Sequence, residues 1–249
     1  MSTLTVYPDA NPESTSFDGR VLYGLDNSTW NDLVVAASGN GATDTDTIAH
    51  GFSFTSGTNS NTWYQIGRGW FLFDTSALGS TANISAATLS LYGASQNDLL
   101  SAAPDINIYS ATTASNTAAS NSDYGGCGAT ALCDTAVTYA GWNMSGYNNF
   151  ALNASGKANI SKTGISKFSS RNANYDVANS PPPWLSGNKI SNCYCHHADG
   201  TTGDPKLVIT YTTPSGPANM KTLNNVAAAS IKTINGVAIA SVKTWNGIP

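Results

Sequence analysis

Charge is scarce in this sequence: Asp, Glu, Lys and Arg together make up 10% of its 249 residues, against roughly 25% in an ordinary soluble domain. The shortage is sharpest for glutamate, of which Glu13 is the single example, so long solvent-facing helices laced with Glu–Lys pairs are excluded. Bases are few as well, eleven against fifteen acids. The resulting net charge of −4 argues against a nucleic-acid-binding surface, which needs a basic patch to neutralise phosphates. No run reaches the roughly eighteen apolar residues of a membrane-spanning helix. Only three histidines are present, and there is no Gly-x-Ser-x-Gly elbow, phosphate loop or His-Glu-x-x-His helix. A carboxylate pair for glycoside hydrolysis would have to come almost wholly from Asp. The sequence therefore reads as non-enzymatic.

What replaces charge is Ser, Thr, Asn and Gly, a polarity that suits a protein living outside a cell. Yet Met1 to Tyr7 runs straight into a strand-like alternation, with no secretory signal to read. A virus particle reconciles the two, since coat proteins are made and assembled in the cytosol and exposed only after lysis. A leader removed earlier is the other reading, and it would place the chain on a cell surface or in the extracellular space.

Strand signals dominate. Leu4–Tyr7, Arg20–Tyr23, Asp32–Ala36, Trp63–Phe73, Ala87–Tyr92, Ile106–Tyr109, Phe150–Leu152, Lys189–His196 and Lys206–Tyr211 are β-branched or aromatic runs separated by turn-forming clusters. Many short antiparallel strands with frequent turns predict an all-β jelly-roll sandwich. Helix is expected only at Leu78–Ile84, weakly, and at Asn153–Ile160, where Asn153 serves as cap. The Ala/Ser/Thr/Asn-rich stretch from Ala111 to Tyr124 reads as a long loop, as does Asn179–Gly187, where Pro181, Pro182 and Pro183 stiffen the approach to Trp184.

The strand pattern ends at Thr212-Thr213-Pro214-Ser215-Gly216-Pro217, which divides the chain into a sandwich over residues 1–213 and a tail over 214–249. The tail repeats itself. Met220–Val226, Ile231–Val237 and Val242–Ile248 are three copies spaced by eleven residues, each a short β-rich run, an Asn-Gly or Asn-Asn step suited to a tight primed turn, and a second apolar run. A unit this short cannot bury its own apolar face and must stack on something else. Ile231, Ile234, Asn235, Gly236, Val237, Val242, Trp245, Asn246 and Gly247 are the expected assembly residues. Lys221, Lys232 and Lys243 recur in register with no acid in the tail, and read either as strand-edge protection or as contacts to an acidic surface.

Gly67-Arg68-Gly69-Trp70-Phe71-Leu72-Phe73-Asp74-Thr75-Ser76-Ala77, followed by Ile84-Ser85-Ala86-Ala87-Thr88-Leu89-Ser90-Leu91-Tyr92, resembles the DNRLRE-type β-sandwich modules, jelly-roll relatives of carbohydrate-binding modules. The closing strand Gly203–Tyr211 and the segment Asn153–Ile160 with Thr163–Phe168 and Arg171 fit the same pattern, so the resemblance covers roughly residues 3 to 212. Sandwiches of this kind followed by Asn-Gly hairpin repeats are similar to those of phage and other virion structural proteins, which implies a surface role. In the bottom-up reading Arg68 must pair its fork with a carboxylate or with backbone carbonyls, and Asp74 caps the turn through Thr75 and Ser76.

Cys127, Cys133, Cys193 and Cys195 form the sharpest chemical cluster. Cys193 and Cys195 share a strand face about 6.5 Å apart, too far to bond to each other. Two disulfides joining them to Cys127 and Cys133 would suit an exposed protein; a local Cys127–Cys133 bridge, a zinc site of four sulfurs or of three with His197, and reduced thiols are the alternatives. Asp44 and Asp46, in Thr43–Thr47, fit a structural calcium site or a solvated loop, and no other cofactor is expected. For a host-surface glycan, Trp30, Trp184, Trp142 and Tyr147 are the candidate stacking residues, with Trp30 and Trp184 expected to be partly exposed because turn chemistry flanks both. The reading as a whole is a virion structural protein, such as a head decoration, tail or fibre component, that partners itself and other virion proteins. A carbohydrate-binding adhesin module is the alternative.

Overall fold

Leu89 and Leu91, like Leu207 and Ile209, stand at alternate positions and are fully buried, the pattern of strands that present one face to a core. Such strands build an all-β sandwich in the computed structural model, which describes residues 1–214, 222–223, 226–227, 230–234 and 236–239. The body consists of β1 (Ser2–Val6), β2 (Asp18–Ser28), β3 (Gly41–Thr43), β4 (Ile48–Ser56), β5 (Trp63–Asp74), β6 (Asn83–Asp98), β7 (Ile106–Ser110), β8 (Tyr147–Ala151), β9 (Ile165–Asn172), β10 (Ile190–His196) and β11 (Lys206–Thr212). All pair antiparallel, in the order β1-β11-β6-β10-β4-β5-β2-β3, with β8 added to β6, β9 to β5, and β7 to β9.

Two long strands make this network fold over on itself. Asn83–Tyr92 of β6 pairs with β11 and β8, whereas Gly93–Asp98 pairs with β10. β5 keeps β2 along one edge, while its other edge passes from β4 to β9 between Arg68 and Gly69. Trp70, Phe71, Leu72 and Phe73 of β5 are all completely buried. They join Phe17, Phe52, Phe54, Phe150 and Phe168 in one core, whose buried members among the described residues run from Phe17 to Ile209.

Arg68 enters that core at the strand switch. Its Nε and Nη2 donate to Asp176 Oδ2 and Oδ1 at 2.9 and 2.6 Å, and its remaining donors reach the carbonyls of Tyr124 and Val34 at 2.9 and 3.0 Å. Arg171 grips the same carboxylate from Nε and Nη2, at 2.9 and 2.7 Å. Burial works to neutralise Asp176, but the two guanidiniums beside it hold its pKa down at about 2. The fork of Arg68 thus finds both kinds of partner expected of it, and Asp74 Oδ1 accepts from Ser76 N at 2.9 Å as a turn cap.

Among the described residues helix is confined to α1 (Trp30–Val34), α2 (Ala154–Ala158) and short 3-10 or π segments, the longest of them Asn121–Gly126. Asn153 caps α2 as expected, accepting from Gly156 N at 2.9 Å. α1 corrects the expectation of a strand at Asp32–Ala36. Thr29 Oγ1 accepts from Asp32 N at 3.2 Å and Asp32 returns a bond to Thr29 N at 3.4 Å, a capping box that commits the segment to helix before its apolar residues can extend. Around Leu78 only Ser76–Leu78 is helical, and β6 begins at Asn83. The Ala111–Tyr124 loop is stitched down by buried Asp123, which accepts from Ala114 N and Ser120 N at 2.7 and 2.9 Å.

Beyond the linker, β12 (Thr222–Leu223) pairs with β13 (Val226–Ala227), and β14 (Thr233–Ile234) with β15 (Val237–Ala238). These are the hairpins expected of the first two repeats. Asn235, Val242, Trp245, Asn246 and Gly247 lie outside the described residues.

Candidate functional site

Trp30 opens α1, Trp63 opens β5, and Trp184 follows the three prolines. The fold brings all three to one cleft of about 230 Å³, which Pro181, Pro182 and Asn61 complete. The Trp30 and Trp63 rings meet edge to face, with centroids 4.8 Å apart, and Trp30 rests on Phe54 at 5.6 Å in the same way. Both indoles form the floor, being 4% and 2% exposed. Trp184 is half-buried and forms the wall. The Trp30 indole N–H donates to Tyr175 O at 3.3 Å, and that of Trp184 donates to Thr62 O at 2.9 Å. With those donors engaged, what the cleft offers a ligand is ring surface, the means by which aromatic side chains hold the C–H face of a sugar. Trp184 meets the expectation of partial exposure; Trp30 does not, because its ring is spent on the core.

Trp142 and Tyr147 lie apart from the cleft. Trp142 is buried, at 4% exposure, packed where β6 passes at Gly93; a Cβ at that glycine would come within 3.0 Å of its Nε1. The Tyr147 ring is covered by Lys206 Nζ, 3.7 Å from its centroid, and abutted by Tyr92 at 5.1 Å. Its hydroxyl donates to Asp204 O at 3.2 Å. The stacking pair proposed at these positions is therefore corrected to packing roles.

Asp44 and Asp46 are each engaged by a different protein group. Asp44 Oδ2 accepts from Ala119 N at 2.7 Å, anchoring the long loop, and Asp46 Oδ2 takes Arg20 Nε at 2.8 Å. Among the described residues no group of three or more His, Cys, Asp or Glu side chains is arranged to hold a metal ion. Each carboxylate of this loop is thus committed to a contact within the protein.

The disulfide expectation is also corrected: all four cysteines are free thiols. The segment that carries Cys127 and Cys133 is laid along β7 by Gly128 N to Ser110 O and Leu132 N to Ile108 O, both at 2.9 Å. Cys127 bridges to Ala111 and Cys133 to Leu152, while Cys193 and Cys195 sit on β10 between β4 and β6. That anchoring holds the loop against other strands instead of over β10. Burial pushes the Cys133 thiol up to about 12 and raises Cys193 and Cys195 as well, which removes the reactive thiolate. His197 is fully buried edge-on to Phe71, with neither ring nitrogen bonded, and its Nδ1 lies 3.8 Å from Asp18 Oδ2. A thiol reagent is expected to modify the native protein slowly and to titrate four thiols only after denaturation. An intact mass lower by four hydrogens under non-reducing denaturing conditions would contradict this assignment.

Two residues carry no local signal in the sequence. Nothing local distinguishes Trp63 at the start of the Trp63–Phe73 run, and only the tertiary convergence of α1, β5 and the proline loop singles it out. His50 gave no signal beyond being an isolated histidine, yet its ring lies almost flat against Tyr194, with centroids 4.9 Å apart. No family model matches this chain, and no curated protein matches it significantly.

Proposed function

We propose that this chain is a non-enzymatic virion structural protein in which the sandwich is displayed and the terminal repeats attach it to the particle. The observation that carries this reading is the shared register of the two described tail hairpins. Thr222 opposite Ala227 and Leu223 opposite Val226 recur eleven positions on as Thr233 opposite Ala238 and Ile234 opposite Val237. Each hairpin forms a two-stranded sheet of its own, and a lone two-stranded ribbon is marginal in water. Val237 is 50% exposed, an apolar side chain available to a partner. Among the described residues, the buried members of the body's core run from Phe17 to Ile209, and Ile234 of the tail is itself only 8% exposed. The resemblance to DNRLRE-type modules with Asn-Gly repeats supports the same surface role, with other virion proteins and further copies of this chain as partners.

Ending the chain at residue 213 is expected to leave a folded sandwich with an unchanged near-ultraviolet spectrum that no longer co-sediments with particles carrying the intact protein. Co-sedimentation of the shortened chain at the intact level would show that the tail is not the anchor.

A second reading, a carbohydrate-binding adhesin module, is favoured by the convergence of Trp30 and Trp184 on one cleft. It predicts glycan affinity in about the micromolar to millimolar range, lost in Trp184→Ala with the fold intact. Trp184 is the position to change, because Trp30 and Trp63 belong to the core. A glycan array with no bound ligand at high protein concentration would remove this reading.

A further inference from the structure

We propose that the outer face of the sheet around Gly67 carries a second binding site, which takes a vicinal diol as presented by one sugar ring or a short linear polyol. The site begins with a missing side chain. In register, Leu22 of β2 faces Gly67 of β5, which faces Ser53 of β4, which faces Asn192 of β10. A Cβ at Gly67 would sit 2.6 Å from Ser53 Oγ and would overlap the His50 ring. Glycine here is what lets the imidazole lie down over the sheet. The ring is fixed from two sides, by Ser53 Oγ at 3.2 Å from Nδ1 and by its stack on Tyr194. His50 is only 7% exposed. Burial, with Arg20 and His197 nearby, pushes its pKa down to about 3, so it is a neutral hydrogen-bonding group at the floor.

Above that floor is a depression of about 270 Å³ walled by Arg20, Asp46, Gln65 and Tyr194, with Leu22 and Ile48 at its rim. It shares no lining residue with the tryptophan cleft. Arg20 and Asp46 are joined through one atom each, Nε and Oδ2, at 2.8 Å, with 26% and 34% of their side chains exposed. Among the described residues the Arg20 Nη groups, Asp46 Oδ1, the Gln65 amide and His50 Nε2 have no hydrogen-bond partner. Because the two charges neutralise one another, the wall does not select an ion. It offers donors beside acceptors, held in place in advance by the ion pair. Two adjacent hydroxyls, each able to donate and accept, complement that arrangement. The volume lies below the roughly 300 Å³ at which pockets for drug-sized ligands begin, which fits one ring or a short polyol.

The test is a titration of the intact protein with methyl glycosides, ribitol, glycerol and inorganic phosphate, read by the side-chain NMR signals of His50 and Gln65. Saturable shifts of both signals at millimolar ligand are expected with at least one methyl glycoside or polyol. Affinity should fall at least tenfold in Gln65→Ala and in Asp46→Asn and be unchanged in Trp184→Ala. Shifts with glycosides alone identify a sugar ring as the source; shifts with ribitol or glycerol as well identify any vicinal diol. Three outcomes overturn the proposal: no saturable shift with any diol, saturation by phosphate alone, or diol binding lost in Trp184→Ala but kept in Gln65→Ala. None of these outcomes depends on whether the tail docks.

Discussion

Replacing Asp176 with alanine is expected to destabilise the sandwich by about 3–5 kcal/mol, the scale of removing one partner from a buried ion pair. The magnitude follows from what is left behind. Arg68 and Arg171 are 2% and 7% exposed, and both rely on the same carboxylate, so the variant would strand two guanidiniums in a dry core. Asp176→Asn keeps the shape but removes the charge, and is expected to lose nearly as much. Urea unfolding measures it: a midpoint shifted by less than the equivalent of 1 kcal/mol would mean that the network is not what closes the core around the strand switch at Arg68. Native stability is only about 5–15 kcal/mol for a domain, so the expected loss places the variant near the edge of folding.

Acid is the second strong perturbation. Burial drives His50 and His197 down to about 3, whereas an unfolded histidine titrates near 6.5. Below pH 6.5 the unfolded chain takes up two protons that the fold refuses, so stability present above that pH is lost as pH falls toward 3. Asp18 acts in the opposite sense. Burial, reinforced by Asp199 and Asp204, raises its pKa well above the ordinary value, so its contribution is full below about 3.8 and is lost as pH rises through the folded value. One carboxyl opposes two histidines, so the net stability falls as the pH drops below 6.5. Below about pH 3.8 the paired carboxylate of Asp176 adds a further loss. Urea midpoints at pH 7, 6 and 5 should decline in sequence, and less steeply in His50→Gln. A flat profile would contradict burial of both imidazoles in neutral form.

The legible part of this fold was the part written in local pattern. Alternation at Leu89 and Leu91, the Asn153 cap and the paired β-runs of the first two repeats each specify their own element, and each reappears in the structure. The segment Asp32–Ala36 shows where that logic fails: its β-branched residues suggest a strand, but Thr29 and Asp32 close a capping box first. Strand β4 was missed because His50 and Gly51 interrupt its alternation, although Phe52 and Phe54 point into the core. The candidate site was legible only in pieces. Trp184 stood out by its prolines, but nothing local marks Trp63 as its neighbour or Asp176 as the partner of Arg68, since both relations form by tertiary closure alone. The cysteine reading failed for a related reason: spacing gave the face of Cys193 and Cys195 correctly, but it carried no information on which strand the Cys127–Cys133 loop would follow.

The most direct test of the account is sedimentation velocity of the intact chain beside residues 1–213 over a wide concentration range. The account predicts that the intact chain associates with rising concentration while the shortened chain sediments as a compact monomer throughout. An intact chain that remains monomeric at every concentration, with its tail hairpins protected from hydrogen exchange as strongly as β5, would contradict it, because the repeats would then be satisfied within their own subunit.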